Sequence, residues 1–370
     1  MNTEYSNDDK YNIDYAETHI GTELGQDNKK DIKSLTLDEL KDEMENMGEK
    51  SFRAKQLYDW MHQKLSAGYE EMTNIPKTLA DKCRDRFDYT VLRIVRVQES
   101  AIDGTRKYLF ELADGNTVES VLMRYKHGNS VCISSQVGCR MGCRFCASTL
   151  DGLERNLLPS EMLDQVYAIT RRTGERVSNV VVMGSGEPLD NYDNLLRFIE
   201  LLTDENGLNI SQRNVTVSTC GIIPKIRQLA EQRLQITLAL SLHAATDEKR
   251  KELMPVANSF SLHELTEACA YYFEQTGRRI TFEYSLVKDV NDTNEDAKQL
   301  ASLIGHLNCH VNLIPVNPIK ERDYVQSERR AVKAFKNMLE KYGINVTIRR
   351  EMGRDIDGAC GQLRRRYMKQ

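Results

Sequence analysis

Three thiols crowd into eight residues of this chain: Cys139, Cys143 and Cys146 form C-x3-C-x2-C, flanked by Gly138 and Gly142. Thiolates so close in sequence are soft metal ligands. A structural zinc site takes four protein ligands, usually as two C-x2-C knuckles, and no second knuckle follows here. A four-iron cube held by three cysteines would keep one iron open to an exogenous ligand. Three merely buried cysteines are disfavoured at this density. Two more thiols stand in unusual places. Cys132 lies in the β-type run VCISSQV that leads into the cluster loop, and Cys360 lies in GRDIDGACGQL, a Gly- and Asp-rich segment where a core cysteine is not expected. A loop cysteine at a rim is a candidate nucleophile. For Cys132 taken alone, packing is the simpler reading. Nine cysteines in all is an odd number and too sparse for a disulfide scaffold.

The elements that must position these groups can be read from periodicity. Residues 1–34 are polar and aperiodic, with eight acids against four lysines, and are expected to be a disordered acidic tail. Residues 35–90 have helical spacing. Thr36 and Glu39 make a capping box before Leu40 and Met44, Phe52 to Met61 marks a second helix, and Pro76 opens a third. Residues 91–127 turn to short β-type runs separated by Asp103-Gly104 and Asp114-Gly115, a hairpin signature. From 128 to 352 seven β-type runs alternate with helical ones, which predicts a parallel sheet with helices outside it. That is α/β, either an open doubly wound sheet or a complete or partial barrel. Residues 353–370 form a final loop and a basic tail ending in Arg364-Arg365-Arg366.

The remaining distinctive segments fall at the C-terminal ends of predicted strands: MGSGEP after VVV, Ser218 after VTV, Ser241-Leu242-His243 after TLAL, and Asn317 after LIPV. Ligands of parallel α/β folds bind at that rim, so these segments and the cysteine loop should share one site. GSGEP lacks the third glycine of a dinucleotide fingerprint, which argues against NAD. Its glycines are expected to admit a ligand close to the backbone, with Glu187 pairing a ligand ammonium or hydroxyl. Taken singly, Ser218, His243 and Asn317 are more often structural.

At 370 residues with 40% hydrophobic and 29% charged, the composition is that of an ordinary globular protein. No run approaches about 18 consecutive apolar residues, and the start lacks a basic and an apolar segment, so a cytoplasmic protein off the membrane is expected. The net charge of −4 hides a basic C-terminal region, with thirteen Lys/Arg against seven acids over residues 321–370. Such a region can engage phosphates, although a solvated tail is the plainer reading of the charge run alone.

With Phe145 in the aromatic slot, C-x3-C-x-aromatic-C resembles the signature of the radical S-adenosylmethionine (SAM) superfamily. VESV (Val118 to Val121), CISSQVGC, GEP, STCG, SLH, VNLIPVNP and DIDGACGQL, with the helical N-terminal region, narrow the likeness to adenine-C2 RNA methylases of the RlmN type, over residues 35 to 363. The resemblance implies a partial (β/α) barrel with a small N-terminal helical domain and a β-hairpin extension. It implies a [4Fe-4S] cluster on Cys139, Cys143 and Cys146, and SAM lined by Gly186, Glu187, Ser218, Ser241, Leu242, His243 and Asn317. Electron transfer to SAM would then give a 5'-deoxyadenosyl radical. By the same likeness Cys360 carries a methyl group, Cys132 is its partner in a transient disulfide, and Glu119 is the base at adenine C2. The implied partners are 23S rRNA at the peptidyl transferase centre, tRNA next to the anticodon, and an electron donor such as flavodoxin or ferredoxin, with the protein a monomer. The helical N-terminal region and the basic tail would grip RNA. Cys220 departs from the Ser common at its place. The nearest rival is the C8-adenine methylase of the Cfr type, which Pro188 disfavours because those relatives carry Ala there. A rival from another class is a non-catalytic iron-sulfur redox sensor that binds RNA and needs neither Cys360, Cys132 nor Glu119.

Overall fold

The structure is a computed structural model that describes residues 29–317, 323–357 and 361–368. The N-terminal region contains α1 (Leu37–Asn46), α2 (Phe52–Tyr58), continued by a wider turn over Asp59–Gln63, and α3 (Lys77–Arg86). The capping box is realised, since Thr36 accepts from the Glu39 N–H and Glu39 accepts from the Thr36 N–H. A short parallel pair, β1 (Lys30–Asp31) with β2 (Phe87–Asp88), closes the region. The acidic tail therefore ends earlier than expected. Residues 1–28 lie outside the described residues, but Ile32 and Lys33 are fully buried. The reason is a charge that composition cannot place: Lys33 pairs with Asp164 at 3.1 Å inside the protein.

Next come three antiparallel strands, β3 (Arg93–Glu99), β4 (Arg106–Glu111) and β5 (Thr117–Tyr125), then β6 (Gly128–Ile133). The two Asp-Gly turns join β3 to β4 and β4 to β5. β7 (Gln136–Gly138) and β8 (Leu153–Asn156) form a small ribbon beside the cysteine loop. Six further strands follow: β9 (Val177–Val182), β10 (Val215–Thr219), β11 (Thr237–Ser241), β12 (Ile280–Leu286), β13 (Cys309–Pro315) and β14 (Asn345–Ile348). The helices between and after them are α4 (Pro159–Thr173), α5 (Tyr192–Thr203), α6 (Ile223–Glu231), α7 (Asp247–Leu253), α8 (Leu262–Thr276), α9 (Asn294–Ile304), α10 (Arg329–Lys341) and α11 (Gln362–Met368).

All seven predicted parallel strands are present, in the order β6-β9-β10-β11-β12-β13-β14. A doubly wound sheet reverses direction at a switch point, and this order never reverses, so the winding is that of a (β/α) barrel. The strands of residues 91–127 are continuous with the same ten-stranded sheet, because β5 pairs antiparallel with β6 and covers what would otherwise be an open edge. No helix among the described residues is long and apolar enough to cross a membrane.

The N-terminal helices are fastened to the barrel by buried polar contacts. Tyr58 donates to Asp204 at 2.7 Å, and His62 Nδ1 lies 2.8 Å from the Tyr167 hydroxyl on α4. Burial lowers the His62 pKa to about 3. A histidine kept neutral in this way adds stability that is fully present above about pH 6.5 and is lost as the pH falls towards 3. His62→Gln keeps a polar partner for Tyr167 without the titration. Urea melts should therefore show wild type losing roughly 1.4 kcal/mol per pH unit relative to the variant across that window. A constant difference would contradict a neutral His62.

Candidate active site

The cysteine loop leaves the carboxyl end of the first parallel strand and is shaped by close backbone contacts. Gly138 has φ +78°, and a Cβ there would sit 2.0 Å from the Gly152 oxygen. Only glycine fits that position. The Cys139 N–H donates to the Gly152 carbonyl, and Thr149 donates to the carbonyls of both Cys143 and Cys146. Cys139, Cys143 and Cys146 all line one cavity of about 190 Å³. Burial pushes the thiols of all three up. Thiols so placed become thiolates only when a positive centre compensates them. Among the described residues no three His, Cys, Asp or Glu side chains are gathered tightly enough to hold a single metal ion. Three thiols lining one cavity suit a four-iron cube that keeps one iron open to another ligand.

The predicted rim residues separate into groups. Gly186, Glu187, Ser218, Ser241 and His243 line the same cavity as the three cysteines, as do Pro188 and Cys220. Asn317 does not, and lines an adjoining cavity instead. Leu242 is in the core, its N–H donating to the Glu283 carbonyl across to β12. The GSGEP glycines, which line this cavity, also have a role within the chain. A Cβ on Gly184 would lie 2.6 Å from the Ile133 oxygen, and one on Gly186 (φ +107°) would lie 2.6 Å from the Gln136 Cβ. They let two segments of this chain pass close together, so part of the space attributed to a ligand belongs to residues 133–136.

Glu187 is buried, with one carboxylate oxygen accepting from the Cys220 N–H at 2.7 Å and the other from the Leu189 N–H. Burial raises its pKa to about 7 despite those bonds. His243 has φ +57°, and its Nδ1 accepts from the Ser285 N–H at 2.9 Å. Burial, with Arg250 nearby, lowers its pKa to about 3, so the ring is neutral and carries its proton on Nε2. Phe145 meets it edge-on at 4.7 Å. Arg250 was not foreseen. Fully buried on α7, it donates to the Cys220 carbonyl at 2.6 Å and the Leu242 carbonyl at 3.3 Å, joining the ends of β10 and β11.

The adjoining cavity, about 340 Å³, contains Glu119, Cys132 and Asn317, and shares Met183 and Gly184 with the cysteine cavity. Sheet register accounts for its composition. Lys107 on β4 is opposite Val121 on β5, which is opposite Cys132 on β6, and Glu119 is two residues from Val121 on the same face. Lys107 was also unforeseen. Its buried ammonium lies 2.9 Å from the Glu119 carboxylate and donates to the Asp357 carbonyl at 2.6 Å. Glu119 further accepts from the N–H groups of Gly361 (2.8 Å) and Arg364 (2.5 Å) at the start of α11. Burial pushes the Cys132 thiol up, and the Arg349 guanidinium partly opposes this. Cys360 lies outside the described residues, between Asp357 and Gly361, which these bonds hold.

With this geometry in view, the comparisons with known proteins are specific. Residues 133–304 match the family model of the radical SAM superfamily, and residues 30–88 match that of the ribosomal RNA large subunit methyltransferase N-terminal domain. A relative from Lachnospira eligens, named a probable dual-specificity RNA methyltransferase RlmN, is 68% identical over 91% of this chain and 97% of its own length. The chain belongs to the RlmN family. Another so named, from Lachnoclostridium phytofermentans, is 62% identical over 92% of this chain and 95% of its own. The crystal structure of a radical SAM methyltransferase from Sphaerobacter thermophilus superimposes with a TM-score of 0.87 at 41% identity, covering 90% of this chain and 98% of that one. This RlmN-family chain is thus a SAM-dependent RNA methyltransferase of the radical SAM superfamily, which uses a [4Fe-4S] cluster and SAM. Cys139, Cys143 and Cys146 are the residues that would hold the cluster, and the Glu187 and His243 side of the same cavity would hold SAM.

Proposed function

We propose that this enzyme methylates C2 of adenine in 23S rRNA at the peptidyl transferase centre and in tRNA next to the anticodon, through a methylated cysteine and two SAM per turnover. The observation that carries the reading is the pair of cavities meeting at Met183-Gly184, one lined by the three cluster cysteines and the other by Glu119 and Cys132. When bound, the cluster and SAM supply the methyl group and the one-electron chemistry needed at a carbon with no nucleophilic lone pair. The chain's own residues do the rest. Cys360 accepts the methyl and presents it to the adenine. After the adduct between the Cys360 methylene and C2 has given up one electron, Glu119 removes the C2 proton, and the Cys132 thiolate attacks the Cys360 sulfur; the sulfur–methylene bond breaks, its electron pair goes to the methylene carbon, and that carbon takes a proton to become the product's methyl as the disulfide forms. Burial of Glu119 excludes water, and Lys107 with the α11 N–H groups orients its carboxylate. The target base must leave its stack to reach this depth. A monomer served by flavodoxin or ferredoxin and working in the cytoplasm fits this role.

The test is nucleoside mass spectrometry of rRNA and tRNA from cells with and without this chain. The expected result is 2-methyladenosine present in the first and absent in the second. Appearance of 8-methyladenosine instead would overturn the C2 assignment.

A further inference from the structure

Within the basic region of residues 321–370, the arginines at its end are partly engaged by the protein itself. Arg364 is buried, and Arg366 pairs with Asp357 at 3.1 Å. A groove of about 520 Å³ opens beside the Glu119 cavity and shares Pro315, Arg349, Arg350, Glu351 and Arg354 with it. Arg329 and Lys333, one turn apart on α10, complete its basic wall. All five cations are exposed, and none has a salt bridge among the described residues. What distinguishes them is that they line one groove together, whereas Arg84, Arg86, Arg93, Arg106, Arg124, Arg155 and Arg197 each have a carboxylate partner. The groove's two acids are already engaged. Asp103 accepts from the Gly353 and Thr105 N–H groups, and Glu351 accepts from Gln326 at 2.6 Å. Unpaired cations held side by side repel one another, and phosphates relieve that cost. The groove also exposes two apolar side chains, Ile102 and Ile348.

We propose that this groove seats the unpaired RNA strand flanking the target adenosine, with phosphates on Arg329, Lys333, Arg350 and Arg354 and a neighbouring ribose or base face on Ile102 and Ile348. It rests on the functional reading above, which requires a nucleotide extruded into the Glu119 cavity. An extruded nucleotide leaves its neighbours single-stranded at the mouth, and Arg349, Arg350 and Arg354 line both spaces.

The test compares two double variants of the full-length enzyme with equal charge change on one helix: Arg329→Gln/Lys333→Gln in the groove, and Arg330→Gln/Lys341→Gln outside it. The probe is a 12-nucleotide unstructured RNA read by fluorescence anisotropy, with a 12-base-pair RNA duplex beside it. The groove variant should bind the single strand roughly tenfold more weakly near 0.1 M salt. Its plot of log Kd against log salt should flatten by about 1.4, for two phosphate contacts at about 0.7 each on a single strand. The control pair should match wild type. Equal losses in both variants, or a loss on the duplex as large as on the single strand, would overturn the groove. Wild-type methylation of rRNA and tRNA is run in parallel. If it fails while the binding difference holds, the functional reading falls, and if methylation proceeds while the two variants bind alike, the groove falls alone.

Discussion

Cys132→Ala is expected to leave RNA covalently attached to the protein, whereas Cys360→Ala should abolish methyl transfer with no RNA attached. The difference follows from where each thiol acts. On the proposed route Cys360 takes up the methyl before anything reaches adenine, so its loss should stop the reaction at the start, with cluster and SAM binding retained. On the same route Cys132 acts only to break the last bond. It faces the same cavity as Glu119, from the strand next to Glu119's own, which is where a resolving thiol must stand to reach an adduct whose proton Glu119 removes. Without it the methylene bridge between the Cys360 sulfur and the base cannot be cleaved. Residues acting as one chemical unit give non-additive losses, so the double variant should behave as Cys360→Ala and carry no RNA. Digestion of Cys132→Ala isolated from growing cells, followed by mass spectrometry, should find an adenosine-derived adduct on the peptide containing Cys360. A Cys132→Ala enzyme that methylates RNA normally and carries no adduct would exclude the two-cysteine route.

The parts of this site visible in the sequence are those where spacing along one chain segment is also proximity in space. The three cysteines sit in one loop, and each rim segment ends a strand, so local pattern plus the parallel α/β rule sufficed to gather most of them. Lys107 was hidden for a different reason. It occupies a β-type run, KYLFEL, and its meaning appears only through register: the Asp114-Gly115 turn puts Leu109 opposite Glu119 and Lys107 opposite Val121. Counting back from that turn would have found it. Arg250 offered no such signal. It stands in DEKRKEL, where its charged neighbours reach solvent, and only the approach of β10 and β11 turns its guanidinium inward.

The chain contacts of the glycines and the pairing of the last arginines were not legible because their partners are remote in sequence. The space above Gly184 and Gly186 is filled by residues about fifty positions earlier. Arg366 finds its carboxylate in Asp357, and the unpaired cations lie on α10 and just after β14. Strand count followed from periodicity, whereas strand order and the end of the N-terminal tail did not, since order is set by which strands meet in space and a polar segment becomes part of the packed body when Lys33 finds a buried acid.

That acid defines the largest stability effect expected in the molecule. Asp164 is fully buried and accepts from Lys33 at 3.1 Å, from both terminal nitrogens of Arg171 at 3.1 Å, and from the Leu92 N–H at 2.7 Å. Burial opposes its ionisation, but Lys33 and Arg171 together hold its carboxyl below the usual range. Asp164→Ala removes every one of these acceptors at once. Lys33 would retain the Thr90 carbonyl, the face of Tyr89 at 4.4 Å and the more distant Asp31 carboxylate, none of which replaces the direct ion pair. Breaking one side of a buried pair costs roughly 3–5 kcal/mol, and for a chain of this length the melting temperature should fall by roughly 4–7 °C. The N-terminal segment should come loose first, which hydrogen exchange over residues 29–36 would register as faster exchange. Replacing both partners by apolar groups removes the stranded charge, so Lys33→Met/Asp164→Leu should melt well above Asp164→Ala. If the double variant is no more stable than the single one, the loss comes from packing and the Leu92 N–H, and not from the buried lysine.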